Sequence, residues 1–150
     1  MFLTVHSAIG VTAVTAIGIT NPAAAFALGW ALHYVGDAIP HGDERIGDWV
    51  LESDRSVRRA IPFFAGDFAV MSAAFLMYSM SVGFHWHFAA VVAGSILPDV
   101  MFGMEMVFKR NVFGFLTPLH KKAHRLTGVR LPLWLGLSGQ AIIALLLWFR

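Results

Sequence analysis

The sequence predicts an all-α protein, a single transmembrane domain over residues 1–150 built as a polytopic bundle of five membrane-spanning helices. Hydrophobic residues make up 57% of the chain and charged residues 13%, and the mean hydropathy is +0.67. That balance is typical of a chain whose main solvent is lipid. A bilayer span takes about 20 predominantly apolar residues, and five segments are long enough, at residues 2–20, 22–40, 60–82, 84–105 and 131–149.

The first two apolar segments follow each other closely. The first has no basic residues ahead of it, which a secretory signal would carry, and the chain becomes apolar again directly after Asn21 and Pro22. We therefore expect the first segment to be a retained helix of the bundle.

The basic residues predict the orientation in the membrane. Ten of the eleven lie in the links 41–59 and 106–130, which five spans place on the same side as the N-terminus: Arg45, Arg55, Arg58, Arg59, Lys109, Arg110, Lys121, Lys122, Arg125 and Arg130. Only Arg150 lies opposite. By the positive-inside rule, the N-terminus is cytoplasmic and the C-terminus is outside, in an inner (plasma) membrane of bacterial type.

Both basic links are expected to contain a short interfacial helix. In the second link, Thr117 is a suitable N-cap, Pro118 suits the first turn and Gly128 suits the end, which predicts a helix over 118–126. Apolar residues around it favour a position against the membrane surface. The link 44–59 has a weaker pattern of the same kind.

Metal-ligand residue types gather at the end of the second segment. His33 and Asp37 stand four residues apart and share a helix face, while His41 and Asp43 follow just past Pro40. An ionised carboxylate within a membrane needs a compensating partner. The chain has no cysteine, so a transition metal would be held by imidazole and carboxylate groups.

Ionisable side chains of four predicted spans lie at similar depth, within about 15 Å of the basic side at 1.5 Å per residue. No span contains an internal Lys or Arg, so a metal cation would account for the acids and the histidines together. In the second link, His120 and His124 share one helix face and could cap the site. The predicted metal ligands are His6, His33, Asp37, Asp67, Asp99, His120 and His124, and the candidates for proton transfer are His41 and Asp43.

Some of these residues have structural alternatives. Asp67 could cap a kink after Pro62 or bond to a neighbouring helix, and His6 could be a hydrogen-bonded packing residue. His120 and His124 lie among lysines and could form a surface that binds lipid headgroups. These alternatives stay open on the sequence alone.

Three motifs together resemble a known family. The His-x3-Asp element 33–37, the tripeptide 97–99 (Leu-Pro-Asp) and paired histidines in a basic loop are similar to the YdjM-like family of bacterial inner-membrane metal-dependent hydrolases, also described as LexA-binding. In that family the Leu-Pro-Asp element precedes the His-x3-Asp element, whereas here it follows. Residues 33–41 are also similar to a motif of the zinc-dependent phospholipase C and single-strand nuclease superfamily, which implies a multinuclear zinc site that cleaves phosphodiesters.

The expected function is therefore that of an integral membrane metal-dependent hydrolase acting on phosphoester or lipid-derived substrates at the cytoplasmic leaflet. The expected cofactor is a divalent metal, zinc in one or two ions, with manganese or iron as alternatives. Competing classes are ion or proton transport through intramembrane Asp and His, a membrane adaptor with a structural metal, and a bis-histidine haem protein. Membrane lipids are expected partners and nucleic acid is not. A homo-oligomer could form through a patch of Gly136, Gly139 and Gln140.

Overall fold

The fold is all-helical across the residues that the structure, a computed structural model, describes: 1–43, 46, 49, 50, 52–110, 112–124, 126–129 and 131–149, with only the backbone of Asp54. These residues contain no β-strand. The helices with described bounds are α1 Leu3–Ile17, α2 Pro22–Ala38, α3 Asp54–Val82, α4 Trp86–Phe108, α5 Leu116–Ala123 and α6 Leu133–Trp148. The predicted helical class is confirmed, and each of the five predicted apolar segments overlaps one helix, although α3 begins at Asp54 rather than at residue 60.

Local capping explains where two of these helices begin. The Asn21 side chain accepts a hydrogen bond from the Ala24 amide at 3.0 Å, and Pro22 occupies the first turn of α2. Ser53 does the same for α3 by accepting from the Ser56 amide. Because these caps satisfy otherwise unpaired helix N–H groups, both helices begin at a defined residue.

The α2 and α4 helices pack together through glycine. A side chain at Gly29 would collide with the backbone carbonyl of Val91, and one at Gly94 would collide with that of Phe26. Helix α1 approaches α4 in the same way, with Gly10 against Ser95. Small residues that let helix backbones approach closely are characteristic of packing between membrane helices.

Two helices, α3 from Arg55 to Val82 and α4 over its full length, are long and apolar enough to cross a membrane. Helices α1 and α6 are apolar but shorter, with 15 and 16 residues. Much of the apolar surface of α3 is exposed, including Phe68, Val70 and Leu76. Such a surface would be costly in water and is suited to lipid.

The links differ from the prediction in their details. Helix α5 begins at Leu116 with Phe115 at the N-cap position, because the Thr117 hydroxyl donates to the Glu105 carboxylate instead of capping its own helix. It ends at Ala123, before the predicted end. In the link 44–59, residues 46, 49 and 50 are helical. The basic residues Arg45, Arg125, Arg130 and Arg150 lie outside the described residues.

Candidate metal centre

The candidate metal centre lies where the end of α2 meets α4 and α5. His33 and Asp37 come from the last turns of α2, Asp99 from α4 and His120 from α5, and all four offer ligand atoms within 4.8 Å of one another. His33, Asp37 and His120 are almost fully buried, and Asp99 is partly exposed. A buried group of two imidazoles and two carboxylates could hold a metal ion.

The distances within this first group are short. The His33 Nε2 atom lies 3.0 Å from Asp37 Oδ2, and the His120 Nδ1 atom lies 3.5 Å from the same oxygen. On the other side, Asp99 Oδ1 lies 3.5 Å from His120 Nε2 and 3.9 Å from His33 Nε2. The predicted convergence of His33, Asp37, Asp99 and His120 is therefore present in the fold.

A second group of possible ligands shares Asp37 with the first. Asp37, His41 and His124 also offer atoms within 4.8 Å of one another, and His124 Nε2 lies 3.1 Å from Asp37 Oδ2. Carboxylates that bridge two ions about 3.5 to 4 Å apart are typical of two-metal sites. If each group held an ion, Asp37 would be the ligand common to both.

Backbone carbonyls orient two of the histidines. The Nδ1 atom of His33 lies 2.8 Å from the Ser95 carbonyl oxygen, and the Nδ1 atom of His41 lies 2.6 Å from that of Ile39. Because a carbonyl oxygen only accepts, each Nδ1 carries the proton and donates. This leaves a lone pair on each Nε2. The Nε2 atom of His33 lies 3.0 Å from Asp37 Oδ2 and 3.3 Å from His120 Nδ1. That of His41 lies 2.6 Å from Asp43 Oδ1 and 2.8 Å from the Met1 nitrogen. A histidine whose other nitrogen donates to a carbonyl oxygen is the arrangement that metal-binding histidines usually have.

The unpaired state of Asp37 Oδ2 supports the fit of a cation. The atom is buried and accepts no hydrogen bond within the described part of the chain, although ring nitrogens surround it. A lone pair that faces a carboxylate is repulsive unless a cation or a proton lies between them. The donor set therefore fits a metal that accepts imidazole and carboxylate ligands.

The α-amino group of Met1 also reaches the centre. Its nitrogen donates to Asp37 Oδ1 at 2.9 Å and lies 2.8 Å from His41 Nε2 and 3.3 Å from Asp43 Oδ2. Burial lowers the pKa of this amine, but the Asp37 and Asp43 carboxylates outweigh burial and raise the pKa to about 11. Sequence reasoning missed this group, because a main-chain amine leaves no signal in a residue pattern.

His41 and Asp43 form a pair beside the second group, with His41 Nε2 2.6 Å from Asp43 Oδ1. Burial lowers the pKa of His41, but its hydrogen bond with Asp43 raises it above the ordinary value. Burial raises the pKa of Asp43, but the Met1 ammonium and His41 hold it well below the ordinary value. For His120, burial dominates and lowers the pKa to about 3, which favours the neutral imidazole that binds metal.

His6 lies next to the centre but outside both groups. Its Nε2 atom lies 3.1 Å from Asp37 Oδ1, and its ring stacks on His33 with 4.1 Å between the centroids. The glycine at position 36 leaves room for the ring, since a side chain there would approach His6 Cε1 to 3.2 Å. His6 is thus placed to orient Asp37 through the oxygen Oδ1, while the ligand groups lie at Oδ2.

Asp67 is also outside both groups, because it pairs with the first turn of α1. Its carboxylate accepts from the Leu3 amide at 2.7 Å, from the Thr4 amide at 3.3 Å and from the Thr4 hydroxyl at 2.5 Å. Unpaired N–H groups and the helix dipole make a helix N-terminus a favourable place for a carboxylate. The geometry favours the alternative in which Asp67 bonds to a neighbouring helix.

Two further residues, which were not predicted as part of the site, support it. Gln140 of α6 accepts from the Phe2 amide and donates to the His41 carbonyl oxygen, both at 2.8 Å. Glu105 of α4 accepts from the Phe113 amide at 2.7 Å and from the Thr117 hydroxyl, and so anchors α5 with its histidines. Helical spacing could not have revealed either contact, because those of Gln140 join residues 138 and 99 positions apart and those of Glu105 span the turn between α4 and α5.

The predicted patch of small residues on α6 is divided between two environments. Gly136 packs against the backbone of His41 and Gly42, whereas a side chain at Gly139 would meet no atom within 4 Å. Gly136 therefore packs within the fold and is not free to contact a second copy of the chain. A homo-oligomer stays a prediction.

Comparisons with models of protein families, with curated proteins and with solved structures gave no match. The class that the described residues define is an all-helical chain with membrane-length apolar helices and a buried His/Asp centre that could hold a metal ion.

Proposed function

We propose that the chain is an integral membrane metal-dependent hydrolase that acts on a phosphoester or a lipid-derived substrate. The observation that carries this proposal is the position of Asp37 between two groups of histidine and carboxylate ligands, each compact enough to hold one ion. Two adjacent ions of this kind can clamp both the attacking and the leaving oxygen of a hydrolysis.

The bound metal would supply Lewis acidity and water with a pKa near neutrality. In the reaction, the oxygen of a water molecule bonds to phosphorus or to the acyl carbon. The bond to the leaving oxygen then breaks, and that oxygen takes up a proton. With an ion in the first group alone, His41, paired with Asp43, would move a proton from the attacking water to the leaving oxygen. With a second ion bound by His41, this role would fall to Asp43.

Zinc is the proposed metal, as one or two ions, because it binds imidazole and carboxylate ligands in small buried groups. Manganese or iron would fit the same donors. The first ion would take His33, Asp37, Asp99 and His120. The second would take Asp37, His41 and His124, and would replace the Met1 ammonium that now lies 2.8 Å from His41 Nε2.

The proposed topology has five spans, with the N-terminus and the metal centre on the cytoplasmic side of a bacterial-type inner membrane. The match between the five apolar segments and five helices supports it, as do the exposed apolar surface of α3 and the ten basic residues in two links. The His-x3-Asp element 33–37 and the tripeptide 97–99 support assignment to the YdjM-like family. The similarity of residues 33–41 to the phospholipase C superfamily supports only the type of chemistry.

Ion transport is a less favoured use of the same residues. The buried ionisable side chains of the described residues gather at one end of the helices, where α1 begins and α2 ends. The opposite end is occupied by apolar residues such as Val14, Phe88 and Val91. A transport route would need polar groups along its length.

The test compares two carboxylates at similar predicted depth. Asp37→Asn removes the shared ligand, whereas the matched control Asp67→Asn changes a carboxylate that pairs with α1. We expect elemental mass spectrometry of the detergent-purified parent to find near-stoichiometric metal, lost in Asp37→Asn and kept in Asp67→Asn. Hydrolysis of bis-p-nitrophenyl phosphate and p-nitrophenyl acetate should be observed in the parent and in Asp67→Asn and should be lost in Asp37→Asn. A parent that binds metal but is inactive on all such substrates would favour the adaptor with a structural metal.

A further inference from the structure

A cavity of about 710 Å³ opens beside the candidate metal centre. Its polar lining comes from Asp99, His120 and His124 of the centre, from Asp43 beside it, and from Asp67 and Lys121. Most of the remaining lining is aliphatic or aromatic. The volume lies within the range of sites that bind small molecules, so the centre adjoins an apolar space large enough for part of a substrate.

The cavity lies between the ends of α3 and α4 that face the centre. The two helices touch near their connection, where Tyr78 and Phe88 meet edge to face at 5.3 Å. Farther along, α3 packs mainly on α1, while α4 packs mainly on α2 and α1. Phe64 of α3 and Val107 of α4 line the cavity, and both side chains are exposed. Among the described residues, the space between the two helices is therefore not closed at these positions.

Basic side chains lie beside this cavity. A second cavity of about 260 Å³ is lined by Lys109, Arg110 and Lys121, and Lys121 lines both cavities. The Lys121 ammonium lies 5.7 Å from the centre of the Phe102 ring. Cations next to a metal centre favour an anionic group such as a phosphate.

We propose that the larger cavity binds the aliphatic chain of a phosphoester lipid, which enters between α3 and α4 with its phosphate at the metal centre beside Lys121. This inference rests on the proposed function for its hydrolytic step and names the substrate class. Contact between the methylene groups of such a chain and the apolar wall of the cavity would make the binding free energy more favourable. A small water-soluble phosphoester would leave that wall exposed to water.

The chain length of simple probes tests this proposal without turnover. Methyl, n-butyl, n-hexyl and n-octyl phosphate, each below its micelle-forming concentration, are titrated by calorimetry into the purified protein in nanodiscs, with empty nanodiscs as the blank. We expect Kd to fall about fourfold for each added methylene, the affinity gain for burying one such group.

Two glycines provide a matched pair of variants. Gly103 lines the cavity and Gly66 does not, and a Cβ atom added at either would meet no atom within 4 Å. Gly103→Leu should remove the dependence on chain length while the metal content and the Kd of methyl phosphate stay unchanged. Gly66→Leu should behave like the parent. Ala65→Leu fills the same cavity from α3 and should repeat the result if Gly103→Leu fails to fold.

The results separate this proposal from the proposed function. If Kd does not change with chain length, or if both cavity-filling variants bind octyl phosphate as tightly as the parent, the lipid chain is not bound in this cavity. Metal-dependent hydrolysis of bis-p-nitrophenyl phosphate could still hold in that case. Chain-dependent binding that is lost in both filled variants, without any hydrolysis, would support the lipid site and refute the hydrolase.

Discussion

Replacement of Gly136 by alanine should displace one half of the metal centre. The Cα atom of Gly42 lies only 2.5 Å from where the new Cβ would be, and the His41 carbonyl oxygen also collides with it. Ordinary contact begins near 3.4 Å, so the loop that holds His41 must move by about 1 Å. Both colliding groups are backbone, which cannot turn aside as a flexible side chain can.

The size of the effect follows from two opposing terms. Overpacking of this kind costs about 1–3 kcal/mol, and alanine gains up to about 1 kcal/mol over glycine in a helix. Gly139→Ala, three residues farther along α6, has the same helix gain without any contact within 4 Å. The two variants should therefore differ by about 1–3 kcal/mol in the free energy of unfolding.

The displaced loop should also weaken metal binding. Metal–nitrogen distances tolerate about 0.2 Å, so a shift of about 1 Å at His41 removes a ligand of the second ion. We expect Gly136→Ala to lose that ion, or to bind it at least about tenfold more weakly, while Gly139→Ala keeps it. Metal titration and denaturant unfolding in detergent measure both effects. Equal stability and equal metal affinity in the two variants would refute the reasoning.

Two further variants test the packing around the centre. Gly29→Ala should lower the free energy of unfolding by about 1–3 kcal/mol, because the new side chain collides with the α4 backbone. The control Gly66→Ala should be neutral or stabilising. Equal thermal stabilities of the two variants would contradict the close approach of α2 to α4. Glu105→Leu should release α5 and weaken metal binding by about tenfold, measured by competition with a chelator. The exposed Glu52→Gln serves as its control, and unchanged affinity in Glu105→Leu would mean that α5 is held by other contacts.

Local sequence signals predicted the helices and part of the centre. Apolar segments and caps such as Asn21 act within a few residues, so the helical class and most helix limits follow from short-range pattern. The pairing of His33 with Asp37 also follows locally, since four residues make one helix turn. The depth of Asp99 along its segment then placed it at the same level, as the fold confirms.

Depth could not decide which way each side chain faces around its helix. Asp67 was at a suitable depth, yet it faces the N-terminus of α1, where unpaired N–H groups bind it. The contact of Gln140 with His41 joins segments 99 residues apart, and that of Glu105 with Thr117 spans the 12 residues that connect α4 to α5. Rotation about the helix axis depends on which helix faces touch, and no local pattern records that.

By itself, the sequence determined the helical class of this protein, its apolar segments and the donor chemistry available to a metal. Only the tertiary structure decided which donors meet: Asp37 belongs to both candidate ligand groups, with the Met1 amine beside it. The physical reason is that helix formation is satisfied within each segment, whereas the approach of α2 to α4 depends on glycines such as Gly29 and Gly94 meeting a distant backbone.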